Sequence, residues 1–209
     1  MLELPDNGDV LRILGIDPGT QTLGTAVLDL DLKTYDIRIV HCETYKADHL
    51  AKFDPRFQDI SQAHGDLAMR LIAHKENLRS LMEHMVIDEL VAESSFMHMR
   101  AHAFEALVRC MESIRLAAWE YDMSMPVHKV TPQGAKAAVG AAGKGKGKDA
   151  VKVGIKKLLK DNSKQLYYEA PKDFEQLDEH SIDAIAIGYH HAVAWCNFLK
   201  GGDTICSRS

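Results

Sequence analysis

Residues 11–28, LRILGIDPGTQTLGTAVL, read as two strands around a tight turn. Leu11 to Asp17 is a mostly apolar run of strand length that stops on one carboxylate, Asp17. Pro18 and Gly19 supply a turn, and Leu23 to Leu30 forms the second strand. An apolar strand that ends on an acid hands a charged group to whatever lies at that edge of the sheet. The rest of the chain therefore has to be read for groups that could meet Asp17 there.

Ile37 to Tyr45 reads as a third strand, entered through the polar turn Asp31 to Asp36, so the first three strands form an antiparallel meander. Residues 46–56 read as loop. From Phe57 to Met85, apolar residues at Phe57, Ile60, Leu67, Leu71, Leu78, Leu81 and Met85 have the spacing of one helix with one buried face, and Gly65 lies inside the run. Ile87 to Glu93 reads as a short strand that again ends on an acid. A long helix follows at about Met99 to Tyr121, with Phe104, Leu107, Val108, Met111, Ile114 and Ala118 on its inner face. Pro126 to Val130 is the fifth strand. Thr131-Pro132 opens a helix that ends by Gly140. GAAGKGKGK (140–148) is of low complexity, Asp149 to Leu159 is helical, and 161–177 reads as polar loop. The last helix spans about Asp178 to Leu199. The expected architecture is α/β, a five-stranded mixed sheet flanked by helices. Residues 1–10 are expected to be a leader, 11–200 a single domain and 201–209 a flexible tail.

At 209 residues and 46% hydrophobic, the chain suits one full core. No run approaches 18 consecutive apolar residues, so no membrane span is expected, and the polar, acidic MLELPDNGDV does not read as a signal peptide. The four cysteines (Cys42, Cys110, Cys196 and Cys206) are scattered without a CxxC pair. A reducing, intracellular setting, cytoplasmic by default, is expected. The net charge of −5 hides an asymmetry. Nine lysines against one acid between Lys129 and Lys160 give that segment +8, leaving −13 on the remainder. A basic zone on an acidic body says more about partners than the sum does.

Three elements offer acids where the end of a sheet would present them. Asp17 closes the first strand and Glu93 the fourth; His180 and Asp183, three apart on the last helix, share a face. Asp183 lies among apolar neighbours, costly for a charge unless it is paired or bound to metal. Acids that converge from distant positions repel one another, and a hard divalent ion, Mg2+ or Mn2+, relieves that repulsion. Two such ions roughly 4 Å apart bind a scissile phosphate from both sides. The carboxylate shared between them would be Asp17, central on the first strand.

GIDPGTQTLGTAV, ELVAESSFM and EHSIDAIAIGYHH together resemble the three acidic motifs of the RuvC-type Holliday junction resolvases, nucleases of the ribonuclease H-like fold. The resemblance runs from about residue 11 to 195, in order and spacing. It implies a metal-dependent endonuclease that resolves four-way DNA junctions by paired symmetric nicks, with Asp17, Glu93, His180 and Asp183 as catalytic metal ligands. Many members carry Asp where His180 stands. Phe96 matches an aromatic that enters the junction centre. Lys136 and one or more of Lys144, Lys146 and Lys148, Lys148 best, match basic residues near the scissile phosphate, and Lys152 beyond them is expected to contact DNA as well. The resemblance also implies a homodimer, with helix 99–121 as the interface. The leader, the polar loop of 160–178 and the tail depart from compact bacterial members. They are features of a divergent, phage or viral type, and leave flaps and Y-forks open as substrates beside four-way junctions.

GIDPGT also resembles the phosphate motif of actin-like sugar kinases and chaperone ATPases, but those need a second similar domain, so no nucleotide cofactor is expected. Small nucleases that process ribosomal RNA ends share GIDxGT but lack the Phe of the second motif and the lysine-rich stretch. A non-catalytic junction binder would gain nothing from acids facing phosphate. Replacing Lys144, Lys146 and Lys148 with Ala is expected to weaken DNA binding across sequences. It should also flatten the dependence of log K on log salt, by about one unit for each phosphate that is no longer neutralised. An unaltered slope would mark the loop as a bystander.

Overall fold

A computed structural model describes residues 8–50, 52–94, 101–143, 149–161, 163 and 165–201. The first three strands, β1 (Val10–Asp17), β2 (Thr22–Asp31) and β3 (Ile37–Lys46), form the antiparallel meander. β4 (Glu89–Glu93) lies parallel to β1, and β5 (Val127–Val130) parallel to β4. A sixth strand, β6 (Leu166–Tyr168), pairs in parallel with β3 at the far edge, giving the order β5-β4-β1-β2-β3-β6. The sheet thus has six strands, not five, and the stretch read as polar loop at 161–177 contains the extra one. Three residues are too few to show a period; β6 is a strand because Ile37, Arg38 and Ile39 offer it a partner edge.

Seven α-helices stand among the described residues: α1 (Ala47–Leu50), α2 (Pro55–His64), α3 (Asp66–Met85), α4 (Ala101–Tyr121), α5 (Pro132–Ala138), α6 (Ala150–Lys160) and α7 (Glu179–Leu199). α1 falls inside the stretch read as loop at 46–56. The single helix expected over 57–85 is two, α2 and α3, broken at Gly65, whose φ of 84° ends one helix before the next begins. Thr131 caps α5 by accepting from the Gly134 N–H at 3.1 Å, with Pro132 in the first turn, as the sequence suggests.

Each sheet face carries its own core. In β1, Leu11 and Ile13 face one side and Leu14 and Ile16 the other, all buried. A strand covered on both faces reads as a continuous apolar run rather than an alternation. Leu78 and Met82 of α3 and Ile114 and Ala118 of α4 pack on Leu14, Ile16, Val27 and Leu90. Ile182, Ile185 and Ala192 of α7 pack on Ile13, Ala26, Leu28 and Val91. Each large aliphatic side chain so buried contributes about 1.5–3 kcal/mol. On α4 Met111, Ile114 and Ala118 are buried as expected, but Val108 is exposed, while Cys110 and Ala117 are buried. The packing against α3, not apolar content alone, sets which side of α4 turns inward.

α7 lies almost backbone-to-backbone on β1 and β2. A Cβ added to Gly15 would stand 2.4 Å from the Ala184 carbonyl oxygen and 2.7 Å from the Gly188 nitrogen. One added to Gly24 would stand 2.2 Å from the His180 carbonyl oxygen. Neither position has room for any side chain while α7 stays where it is. Gly15→Ala is therefore expected to cost about 3 kcal/mol or more. At Gly188 the nearest obstacle is Leu28 Cδ1 at 2.5 Å, the far end of a flexible side chain, so Gly188→Ala is expected to cost less than half as much. Urea midpoints of the two variants check the order; equal destabilisation would mean that the approach of α7 does not depend on bare backbone at Gly15.

Candidate functional site

Strand period and register bring the acids to one end of one face. Along β1, Ile13, Gly15 and Asp17 point toward α7, and along β4, Glu89, Val91 and Glu93 do the same. The parallel pairing of Ile16 with Ala92 sets Asp17 beside Glu93 at the carboxyl ends of adjacent strands. Asp17 also pairs across β1 and β2 with Gly24, the residue against which the His180 carbonyl rests. The first turn of α7 is thereby laid over Asp17.

That turn is pinned by its own cap. Asp178 accepts from the Ser181 N–H at 3.0 Å, and Thr44 Oγ1 donates to Asp178 Oδ1 at 2.6 Å while lying 2.8 Å from Ser181 Oγ. His180 then reaches Asp17, with Nδ1 2.8 Å from Asp17 Oδ2 and Nε2 3.0 Å from Thr22 Oγ1. A carboxylate accepts, so Nδ1 carries a proton. The Asp17 hydrogen bond raises the imidazole pKa above its ordinary value, against the opposing effect of burial. To act as a metal ligand, His180 has to give up one of these two partners.

The remaining carboxyls are destabilised as anions. Burial, then the charges of Asp17 and Asp183, push Glu93 up to about 7, with Lys136 opposing. Burial and Asp17 push Asp183 up to about 6, with Lys136 and His180 opposing. Partly buried carboxyls held together at this cost are the donor set that hard divalent cations take. The residues therefore fit such ions.

Asp183 also lines a cleft of about 990 Å3 with Gln133, Lys136, Lys152 and Glu179. Lys136, on α5, stands at this acidic end. Lys152 lines the cleft but its ammonium donates to the carbonyls of Glu175 (2.8 Å) and Leu177 (3.1 Å), and so ties α6 to the segment before α7. Lys156 is paired with Glu175. Phe96, Lys144, Lys146 and Lys148 lie outside the described residues.

Sequence reasoning missed one group. Glu89, His128 and His191 place donor atoms within 4.8 Å of one another. Among the described residues this cluster, and not the acids around Asp17, meets that compact spacing. The available signal was periodicity: Glu89 lies four residues before Glu93 on the same strand face, and His191 two turns beyond Asp183 on α7.

Similarity to known proteins is clearest at the level of fold. A structure described as T. thermophilus RuvC in complex with Holliday junction substrate matches with a TM-score of 0.61 at 18% identity, over 87% of this chain and 93% of that one. A second Thermus thermophilus RuvC structure gives 0.60 at 19% identity, over the same shares. The yeast mitochondrial Holliday junction resolvase Ydc2 gives 0.60 at 12%, over 91% of this chain and 81% of that one. No protein-family model and no curated protein sequence matches the chain. The fold is the ribonuclease H-like α/β fold of these resolvases, as the three motifs led one to expect.

The raised carboxyls carry a stability signature. Glu93 and Asp183 titrate higher in the fold than in the unfolded chain, so folding takes up protons there. Their contribution is fully present below the ordinary carboxylate range and is lost as pH rises through about 6 for Asp183 and about 7 for Glu93. The raised His180 works in the same direction. The metal-free chain should thus lose stability between pH 5 and pH 8, and Glu93→Gln should restore on the order of 1–3 kcal/mol at pH 8. Mg2+ or Mn2+ should stabilise the wild type at pH 8 far more than at pH 5. Thermal midpoints at the two pH values check this; a variant no more stable than wild type at pH 8 would contradict it.

Proposed function

We propose that this protein is a divalent-metal-dependent endonuclease that resolves four-way DNA junctions by paired, symmetric nicks. The observation that carries the reading is that His180 meets Asp17, that Glu93 feels the charges of Asp17 and Asp183, and that Asp183 feels that of Asp17, with Asp183 and Lys136 both lining a cleft. The fold adds support, since the similar Thermus protein is described in complex with Holliday junction substrate.

Asp17, Glu93, Asp183 and His180 would hold two Mg2+ or Mn2+ ions. Ions of this kind supply activation of the attacking water and stabilisation of the leaving oxygen. The chain's own residues set the conditions. Glu93 and Asp183 each release a proton to become ligands, so ion binding is coupled to pH. Thr44, Asp178 and Ser181 hold the start of α7 so that Asp183 faces Glu93. Lys136 offsets the negative charge of the cluster and of an incoming phosphate.

Phe96 would stack on bases at the junction centre, and Lys144, Lys146 and Lys148 would follow the DNA backbone beyond the cleft. Symmetric nicks require two sites, hence a homodimer through α4. The exposed Val108, Leu116 and Trp119 fall within a quarter-turn of one another on that helix and support such a face.

Asp17→Asn, Glu93→Gln and Asp183→Asn are each expected to abolish cleavage, by at least a hundredfold, with junction affinity changed little. A gel comparing a four-way junction, a flap, a Y-fork, plain duplex and an RNA–DNA hybrid tests the substrate. Paired symmetric nicks in the four-way junction alone are expected. Equal cutting of flaps and forks would widen the activity to branched DNA in general, and nicking retained in all three variants would overturn the assignment of the acids.

A further inference from the structure

A second polar cluster sits between the same sheet face and α7, toward the opposite end of β4. Glu89 opens β4, His128 is the second residue of β5, and His191 lies two turns along α7 from Asp183. Four residues of strand and eight of helix both correspond to about 12–13 Å. The cluster is therefore separate from the acids around Asp17.

Both imidazoles approach one oxygen. His128 Nε2 is 2.8 Å and His191 Nε2 is 3.2 Å from Glu89 Oε2, and the rings are centred 4.7 Å apart. His191 is 1% exposed and Glu89 8%. The His128 Nε2 atom is buried and sits at ion-pair distance from the Glu89 carboxylate, so both imidazole nitrogens are turned toward the same oxygen.

A tetrahedral ion with ligand bonds of about 2.0–2.1 Å sets its donors about 3.3 Å apart. The two spacings to Glu89 Oε2 need only a few tenths of an ångström of opening to reach that, and all three donor atoms lie within 4.8 Å of one another. Two imidazole nitrogens and one carboxylate oxygen suit zinc and its late transition-metal neighbours better than magnesium.

We propose that Glu89, His128 and His191 bind one transition-metal ion of the zinc class, at a site distinct from the nuclease centre. The three ligands come from β4, β5 and α7. The ion would clamp the four-residue edge strand β5 to its neighbour, and fix α7 along β4. Glu93 and Asp183 ride on those same two elements, so the clamp would set their alignment without touching substrate. The site does not depend on the nuclease reading.

Co2+ titration of the full chain, stripped beforehand with a chelator, tests the site. Wild type should develop the intense visible absorption of tetrahedral Co2+ at one equivalent, and Zn2+ should bleach it. At a hundredfold excess over its dissociation constant, Zn2+ should raise the thermal midpoint by roughly 5–10 °C. Both responses should persist in an Asp17→Asn, Asp183→Asn double variant. They should disappear in His128→Gln, whose partly exposed side chain on an edge strand makes it the mildest ligand to replace. X-ray absorption of the zinc-loaded wild type needs no variant and should show two imidazoles in the first coordination sphere. Absence of the Co2+ spectrum in wild type, its survival in His128→Gln, its disappearance in the double variant, or oxygen-only coordination would each overturn the proposal.

Discussion

The structure depends on how closely α7 approaches the middle of the sheet. Bare backbone at Gly15 and Gly24 lets the helix come within van der Waals range of β1 and β2 with nothing between. Interiors pack at near-crystalline density, so this approach cannot drift by an ångström without disturbing both cores' shared sheet. Because Gly15 precedes Asp17 by two residues on the same strand face, and Gly24 is Asp17's partner across the ladder, it also sets the height at which His180 meets Asp17. Packing and chemistry share one constraint.

The site this creates is electrostatically unfavourable by itself. Three carboxyls and an imidazole are gathered in a partly buried corner, and the pKa values of Glu93 and Asp183 rise to about 7 and about 6 rather than falling. The fold tolerates this because the rest of α7 is buried in an apolar core from Ile182 to Trp195 and because Thr44 and Asp178 secure its first turn. Carboxyls destabilised in this way, by burial and by like charge, make the corner a candidate functional site. The same helix carries a second polar group, at His191, where the balance is reversed: burial alone would raise the Glu89 carboxyl, but the two imidazoles outweigh it and hold it at about 2. One α7–sheet interface thus holds a repelling cluster at one end and an attracting one at the other.

Much of the fold was legible in the residues. β1 to β5, the long helices and the cap at Thr131 follow from period, length and turn chemistry, all local properties. The two strand-end acids and the His180–Asp183 pair were legible because each ends or faces an element whose period was clear. Beside the short helix α1, three features were not: β6, the break at Gly65 and the position of Val108 on α4. Two of them are decided by a neighbour. β6 has only three residues and exists by pairing with β3, while α4 turns Cys110 inward and Val108 outward because of where α3 lies. The third turns on the backbone angle at Gly65, which apolar spacing on either side does not reveal.

By itself, then, the sequence determined β1 to β5 and the long helices, and that acids stand at the ends of β1 and β4 and at the start of α7. The tertiary structure alone decided that His180 binds Asp17 rather than standing free, that Lys152 is committed to two carbonyls, and that Glu89, His128 and His191 converge. The reason is range. Period and capping act within a few residues, whereas these meetings join positions between 23 and 163 residues apart, which only the stacking of α7 and α6 on the finished sheet brings together.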